Sequence, residues 1–285
     1  MRQVGRLFQR LVSSQFFISS GAGLLCLHTN LQFGQGLDYT LASFVFLSTL
    51  FCYRLFNQNH VLQYGWKAIA GSPEILTIIA GLLAGLFYFL VEPGQRLYIL
   101  LSLLLTSLYA LPLLQSRNRT IRKAEKLLPG RQKGFAKLLL ICVVWSWSTV
   151  ALPYAGNPGG ISIFLFAALL AARALFIAGI TIPFDIRDRL LDHPYMNTLP
   201  QRIGVRKSLG IAVLALLTAS GIFAILVFLH PIPAIFFAVE AVGAIAAIPL
   251  VLASPQQPAG LFFTGLLDGL LVLVPLIGLI LAGIC

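Results

Sequence analysis

The sequence is poor in charged residues, and acidic residues are the scarcest. Only 10% of its 285 residues are charged and nine are Asp or Glu, whereas 58% are hydrophobic and the mean hydropathy is +0.91. Soluble domains carry about 25% charged residues. The composition therefore excludes an ordinary water-soluble domain and is typical of a protein embedded in a membrane.

Cysteine is also scarce, and the four cysteines share no functional spacing. Cys26, Cys52, Cys142 and Cys285 lie in or beside apolar runs without a C-x-x-C pair, so we expect small buried side chains rather than a redox or metal site. No H-E-x-x-H, P-loop, G-x-S-x-G or Rossmann pattern occurs in a suitable context. These absences argue against a zinc peptidase, a nucleotide hydrolase, a serine hydrolase and a dehydrogenase.

The chain does contain a series of apolar runs, each close to the ~20 residues that a transmembrane helix needs. We predict nine of them, at 14–32, 39–56, 74–91, 97–114, 136–153, 161–182, 207–229, 231–252 and 261–283. Backbone polar groups in lipid must be hydrogen-bonded within their own segment, so these runs predict helices rather than strands. The predicted fold class is all-α, a polytopic membrane bundle of nine transmembrane helices forming a single domain over 1–285.

The basic residues predict how this bundle is oriented. Of the 20 lysines and arginines, all but Arg96 and Arg173 lie before the first segment or around the loops after the second, fourth and sixth. The positive-inside rule makes these regions and the N-terminus cytoplasmic. Topology and anionic lipid headgroups then explain the net charge of +11, so no nucleic-acid partner is implied. We expect a multi-pass protein of the cell (inner) membrane whose basic start, Met1 to Arg10, is retained.

Three of the acidic residues lie together where the sixth segment ends, in the stretch PFDIRDRLLDH at 183–193. If the helix continues, Asp185, Asp188 and Asp192 stand at i, i+3 and i+7 and face one way. Such a row repels itself unless a cation lies among the carboxylates, and Mg²⁺ prefers carboxylate oxygens together with substrate phosphates. A solvated charged turn is the alternative.

The residues that follow extend this pattern. Asp185, Asp188 and Asp192 precede Thr198-Leu199-Pro200, and Gly204 then begins a new apolar segment. The arrangement resembles the second aspartate-rich motif of the UbiA superfamily of intramembrane prenyltransferases. This resemblance implies nine helices, a transferase that moves prenyl groups, Mg²⁺ as cofactor, and the three aspartates as catalytic and metal-binding residues.

The first aspartate-rich motif of that family, N-x-x-x-D-x-x-x-D, is degenerate in this chain. Asn57 can stand for its asparagine, but Val61 and Gly65 occupy the two aspartate positions. The nearby amide and imidazole groups are weaker ligands for a hard cation. Three alternatives follow: one metal ion suffices, Arg54 and the basic loop neutralise the diphosphate instead, or catalysis has been lost.

Residues that bind the substrate are expected near the degenerate motif and in the basic loop at 115–137. They are Asn57, Arg54, His60, Arg117, Arg119, Arg122 and Lys123. Arginine and lysine suit a diphosphate because charge-assisted hydrogen bonds are strong, although each basic side chain is also suited to contact lipid headgroups. The implied reaction moves a prenyl group from a prenyl diphosphate to an aromatic or other small acceptor, with Mg²⁺ assisting the departure of diphosphate.

Three charged residues lie within apolar segments. Arg173 and Glu240 are within about one helical turn of each other in height, so we predict a structural ion pair between them. Asp268 is nearer the cytoplasmic end of its segment, where it can join the polar site. Two other functions stay open: a secondary transporter built around these three charges, and a non-catalytic isoprenoid-binding protein, which the degenerate motif favours.

Overall fold

The computed structural model of the chain describes residues 15–62, 73–115, 134–190, 197–229, 234–257 and 260–284. Every regular element in these ranges is helical, and a long helix coincides with each of the nine predicted apolar runs. The α-helices are α1 Phe16–Gln32, α2 Tyr39–Leu62, α3 Pro73–Leu90, α4 Pro93–Gln115, α5 Gly134–Ser146, α6 Leu152–Gly156, α7 Ile163–Asp188, α8 Leu199–Ile203, α9 Val205–Leu229, α10 Ala234–Ala253 and α11 Leu270–Ile284.

Five helical spans in the described ranges are long and apolar enough to cross a membrane. They are Ala136–Gly156, Ile163–Asp188, Val205–Leu229, Ala234–Gln256 and Phe262–Gly283. Tyr39–Leu55 and Ile75–Leu90 are shorter apolar helices. The all-helical fold is thereby confirmed and these spans support an integral membrane protein, whereas the nine crossings and the cytoplasmic N-terminus stay predictions.

Two of the spans contain a π-helical turn. Trp147–Ala151 joins α5 to α6, and Phe262–Leu267 lies just before α11. A π turn inserts an extra residue into the helical ladder, so the side chains on either side of it point in new directions. The first turn lines one of the cavities described below, and Asp268, directly after the second turn, lines the other.

The end of α7 decides how the aspartates are presented. Pro183 lies inside the helix, which continues to Asp188, and Asp185 and Asp188 are therefore one turn apart on the same face. The third predicted member of the row, Asp192, lies outside the described residues.

The T-L-P stretch forms a short capped helix between α7 and α9. The backbone N–H of Thr198 donates to Oε1 of Gln201 at 3.0 Å, and Nε2 of Gln201 donates to the Arg189 carbonyl at 3.3 Å. Gly204 then takes a φ of 81°, which favours glycine, and the chain turns into α9. This sequence pattern therefore fixes α8 against the end of α7.

The helices form a bundle in which α1 contacts both early and late elements. It packs on α2 and α11, while α7 packs between α5 and α9, and α9 packs on α10. Helices α7 and α9 approach closely at Gly179, where an added Cβ would lie 2.5 Å from Cγ of Leu216. This packing brings α1, α2, α5, α7 and the final span around common internal space.

Candidate active site

The two aspartates of α7 line a polar cavity of about 240 Å³. The α7 residues on its wall recur at helical spacing on one face of the helix: Ile177, Ile180, Thr181, Phe184, Asp185, Arg187 and Asp188. The apolar members lie deeper in α7 and the charged members lie at its end. The cavity is consequently apolar on one side and charged on the other.

Four other elements complete this polar cavity. The remaining lining residues are Ile18 of α1, Tyr53 of α2, Lys137, Ile141 and Trp145 of α5, Asp268 beside the second π turn, and Leu271 of α11. The α5 residues are spaced four apart and so lie on one stripe. Three carboxylates and two basic side chains therefore border one small cavity.

Each carboxylate of α7 has a basic partner. Nζ of Lys137 lies 3.7 Å from Oδ1 of Asp185, whose side chain is buried. Arg187 donates to both oxygens of Asp188, from Nε at 2.6 Å and from Nη2 at 2.8 Å. The cavity thus contains paired charges that an anionic ligand can rearrange, because arginine and lysine also bind phosphate oxygens.

Two aromatic rings support Arg187. Its guanidinium lies 5.1 Å from the ring centroid of Phe184 and 5.0 Å from that of Phe263. The two rings meet edge to face with centroids 5.4 Å apart. Cation–π attraction and ring packing hold this basic group at the junction of α7 with the final span.

A second, larger cavity of about 420 Å³ adjoins the polar one. Tyr53, Ile141 and Trp145 line both. Its walls come mainly from α2, α4, α5 and the first π turn, and they are apolar apart from several hydroxyl groups, among them Ser102 and Ser148. The size is in the range of small-molecule pockets, about 300–1,000 Å³.

No protein-family model and no curated protein sequence matches this chain. Among solved structures, a digeranylgeranylglyceryl phosphate synthase in membranes matches with a TM-score of 0.55 and 14% identity, covering 98% of this chain and 99% of that one. That synthase is an intramembrane prenyltransferase of the UbiA superfamily. The chain has a UbiA-type fold. The likeness predicted from the aspartate motif is thus confirmed for the architecture of nearly the whole chain.

The UbiA-type fold raises the question of a bound Mg²⁺. Among the described residues, no three His, Cys, Asp or Glu side chains are grouped to hold a metal ion. Mg²⁺ nevertheless uses only one or two carboxylates when substrate phosphates and waters supply its other oxygens. Asp185 and Asp188 form such a partial set of hard oxygen donors, so their chemistry fits this ion.

The other residues predicted to bind the substrate fall in different places. Nε of Arg54 donates to Oγ1 of Thr77 at 3.1 Å, and Arg54 is not among the residues that line the two cavities. Asn57 and His60 belong to α2, but their side chains lie outside the described set. The same holds for all of Arg117, Arg119, Arg122 and Lys123.

Arg173 and Glu240 lie together in the bundle interior. Nη2 of Arg173 is 2.8 Å from Oε1 of Glu240, and both side chains are almost completely buried. Nδ1 of His28 is 3.2 Å from the same oxygen. The cluster thus joins α7, α10 and α1, and its members line neither cavity.

Sequence reasoning missed individual roles for Lys137, Tyr53 and His28. Lys137 belongs to the basic loop in the sequence. The available signal was its spacing, four residues before Ile141 and eight before Trp145, which places all three on one face of a helix. For His28 the signal was a polar residue inside an apolar segment. No pattern in the sequence indicated that Tyr53 would border both cavities.

Proposed function

We propose that the protein is an intramembrane prenyltransferase that moves a prenyl group from a prenyl diphosphate to a small acceptor. The observation that supports this most directly is the pair of adjoining cavities, one charged and one mainly apolar, with Tyr53, Ile141 and Trp145 as common wall. A prenyl diphosphate has a matching division into an anionic headgroup and an apolar tail. The UbiA-type fold agrees with this substrate class.

The polar cavity would bind the diphosphate. Negative charge collects on this group when the allylic C–O bond breaks, and fixed cations stabilise that charge most effectively where water is scarce. Lys137 and Arg187 are the described basic residues on the cavity wall, and they would exchange their aspartates for phosphate oxygens. Mg²⁺ held by Asp185 and Asp188, with Asp192 as a further proposed ligand, would neutralise more of the diphosphate charge.

The apolar cavity would take the prenyl chain. Its allylic carbon would then lie near the shared wall, where Tyr53 and Trp145 present aromatic side chains. Aromatic faces attract cations and would stabilise positive charge developing on that carbon. The mainly apolar wall would also disfavour water near a reactive carbon.

The proposal includes a topology. All nine helical runs would cross the membrane as one domain over 1–285, with the N-terminus and the ends of α5 and α7 that carry Lys137 and Asp185 on the cytoplasmic side of the cell (inner) membrane. The excess of basic residues in the corresponding loops supports this orientation. A prenyl diphosphate would enter the polar cavity from that side.

Binding to protein in nanodiscs tests the headgroup site. The probe is labelled geranylgeranyl diphosphate, with inorganic diphosphate as competitor. With Mg²⁺ we expect Asp188→Asn and Asp185→Asn to weaken binding at least about tenfold, because hydrogen bonds to charged groups contribute about 1.5–3 kcal/mol. Without Mg²⁺ they should bind at least as well as the native chain, since a carboxylate then only repels the diphosphate.

Glu92→Gln is the matched control for these two variants. Glu92 is an exposed carboxylate between α3 and α4 and borders neither cavity. Its substitution should leave binding unchanged. If the aspartate variants bind geranylgeranyl diphosphate like the native chain in the presence and absence of Mg²⁺, the proposed site is wrong.

A non-catalytic isoprenoid-binding protein is the second candidate. Val61 and Gly65 at the aspartate positions of the first motif favour it, as does the pairing of Asp185 and Asp188 with basic residues of the same cavity. Release of diphosphate after adding para-hydroxybenzoate or glycerol phosphate separates the two candidates. Binding of the prenyl diphosphate without any release would favour this second function.

A further inference from the structure

The polar cavity contains one carboxylate that belongs neither to α7 nor to a recognised motif. Asp268 reaches it from the final span, and Phe263 of the same span packs on Phe184 of α7. A charged side chain within an apolar span is energetically expensive and is commonly retained for a function. Asp268 is therefore the charged group of this cavity that the prenyl diphosphate site leaves without a role.

The local backbone directs Asp268 into the cavity. It directly follows the π turn Phe262–Leu267, and its N–H donates to the Phe263 carbonyl five residues earlier at 3.0 Å. Regular α-helix resumes at Leu270. The extra residue rotates Asp268 relative to an unbroken helix, and π turns of this kind are frequent at functional sites.

Glycine is required beside this carboxylate. A Cβ added to Gly269 would lie 2.2 Å from the carbonyl oxygen of Gly265, which is backbone and has little freedom to move. The two glycines therefore permit the tight geometry that follows the π turn. Any side chain at Gly269 would therefore force the backbone directly after Asp268 to shift.

Asp268 also differs from the two α7 carboxylates in its partners. Asp185 pairs with Lys137 and Asp188 pairs with Arg187. Arg187 acts on Asp268 electrostatically, but within the described part of the chain no basic side chain forms an ion pair with Asp268. It is also not grouped with Asp185 and Asp188 as a three-carboxylate metal site in that part. Its oxygens are thus open to a ligand other than the metal.

We propose that Asp268 binds a hydroxyl group of the acceptor and removes its proton during transfer. This inference rests on the proposed prenyltransferase function. The C–O bond to the diphosphate breaks and its electron pair stays with the diphosphate. The acceptor oxygen forms the new bond to the allylic carbon, and its proton moves to the Asp268 carboxylate and then to water. The acceptor is accordingly a molecule with a hydroxyl nucleophile, small enough to enter beside Leu271 and Ile18.

Single-turnover transfer tests this role in the full-length protein. Native protein is loaded with labelled geranylgeranyl diphosphate and Mg²⁺, then mixed with para-hydroxybenzoate or glycerol phosphate. We expect Asp268→Asn to lower the rate of prenyl transfer by about 10²- to 10⁴-fold, the range for a lost general base. The acceptor KM should change little, because the asparagine carbonyl still accepts a hydrogen bond. Asp268→Glu should recover part of the rate.

Equilibrium binding of the same labelled diphosphate separates the possible failures. Asp268→Asn should keep the Kd for the diphosphate within about twofold of native, whereas Asp188→Asn should raise it further. Equal melting temperatures would show that both variants are folded. An Asp268→Asn rate within a few-fold of native, or a loss of diphosphate affinity equal to that of Asp188→Asn, overturns the inference. Native protein that binds the diphosphate but transfers to neither acceptor also overturns it, while leaving the diphosphate site intact. Absence of diphosphate binding instead refutes the proposed function itself.

Discussion

Arg187 binds both carboxylate oxygens of its immediate neighbour Asp188, at 2.6 and 2.8 Å. Consecutive residues on a helix normally point in different directions. Here the guanidinium bends back over Phe184 and Phe263, so that it covers the carboxylate from the side of the final span. The pair therefore forms part of the charged end of the polar cavity.

Removal of this guanidinium should weaken diphosphate binding. We expect Arg187→Gln to raise the Kd for geranylgeranyl diphosphate about 10- to 100-fold, because one or more charge-assisted hydrogen bonds of about 1.5–3 kcal/mol are lost. Arg189→Gln makes the same change in net charge at a residue that does not line the cavity, and its Kd should stay near native. Equal losses in both variants would indicate general attraction rather than a contact.

The size of the apolar cavity should set the preferred chain length. Ser102 lines it, and its Oγ has no hydrogen-bond partner among the described residues. Ser102→Leu therefore adds bulk without breaking a hydrogen bond. We expect the resulting overpacking to weaken binding of the longest prenyl chains most, by about 1–3 kcal/mol. Competition between geranyl and geranylgeranyl diphosphate measures the shift.

Thr218→Leu is the control for this cavity-filling variant. Thr218 is exposed on α9, and its hydroxyl donates to the Leu214 carbonyl within the same helix. This control should prefer the same diphosphate as the native protein, and to the same extent. A Ser102→Leu protein with the same preference as native would show that the tail lies elsewhere.

Two glycine substitutions should differ sharply in stability. An alanine at Gly269 must displace backbone at Gly265, whereas a Cβ at Gly221 meets nothing within 4 Å. We expect Gly269→Ala to destabilise the fold by about 1–3 kcal/mol and Gly221→Ala to be neutral or stabilising by up to about 1 kcal/mol. Thermal unfolding in detergent compares them, and similar melting temperatures would contradict the close contact after the π turn.

The buried charge cluster should show strong coupling. Arg173→Leu or Glu240→Leu leaves the other charge uncompensated beside His28, which costs about 3–5 kcal/mol in comparable buried pairs. The double variant should be destabilised by less than the sum of the two single changes. Unfolding in dodecyl sulfate measures this cycle. Additive effects, or an Arg173→Leu protein as stable as the native one, would show that the ion pair does not stabilise the fold.

The helices could be predicted because each apolar run is long and is ended by polar or helix-breaking residues. The aspartate row could be predicted in part, since its spacing depends only on α7 continuing through Pro183. The pairing of Asp188 with Arg187, by contrast, requires two rings from separate spans. The direction of Asp268 depends on a π turn, and hydrophobic periodicity does not reveal a single inserted residue. Local patterns thus indicated where the candidate site lies, and tertiary packing determined which side chains line the cavity.

The wall formed by Tyr53, Ile141 and Trp145 belongs to both cavities. In the proposed prenyltransferase, headgroup recognition and tail selection would be linked at these three positions. A change in the ring at Trp145 would alter how an anion is seated and how far a hydrocarbon can extend, so neither property can be adjusted there alone. The tail can be adjusted independently at residues that line the larger cavity alone, such as Ser102. Selection for a new isoprenoid would therefore be expected to act first at a distance from the reacting bond.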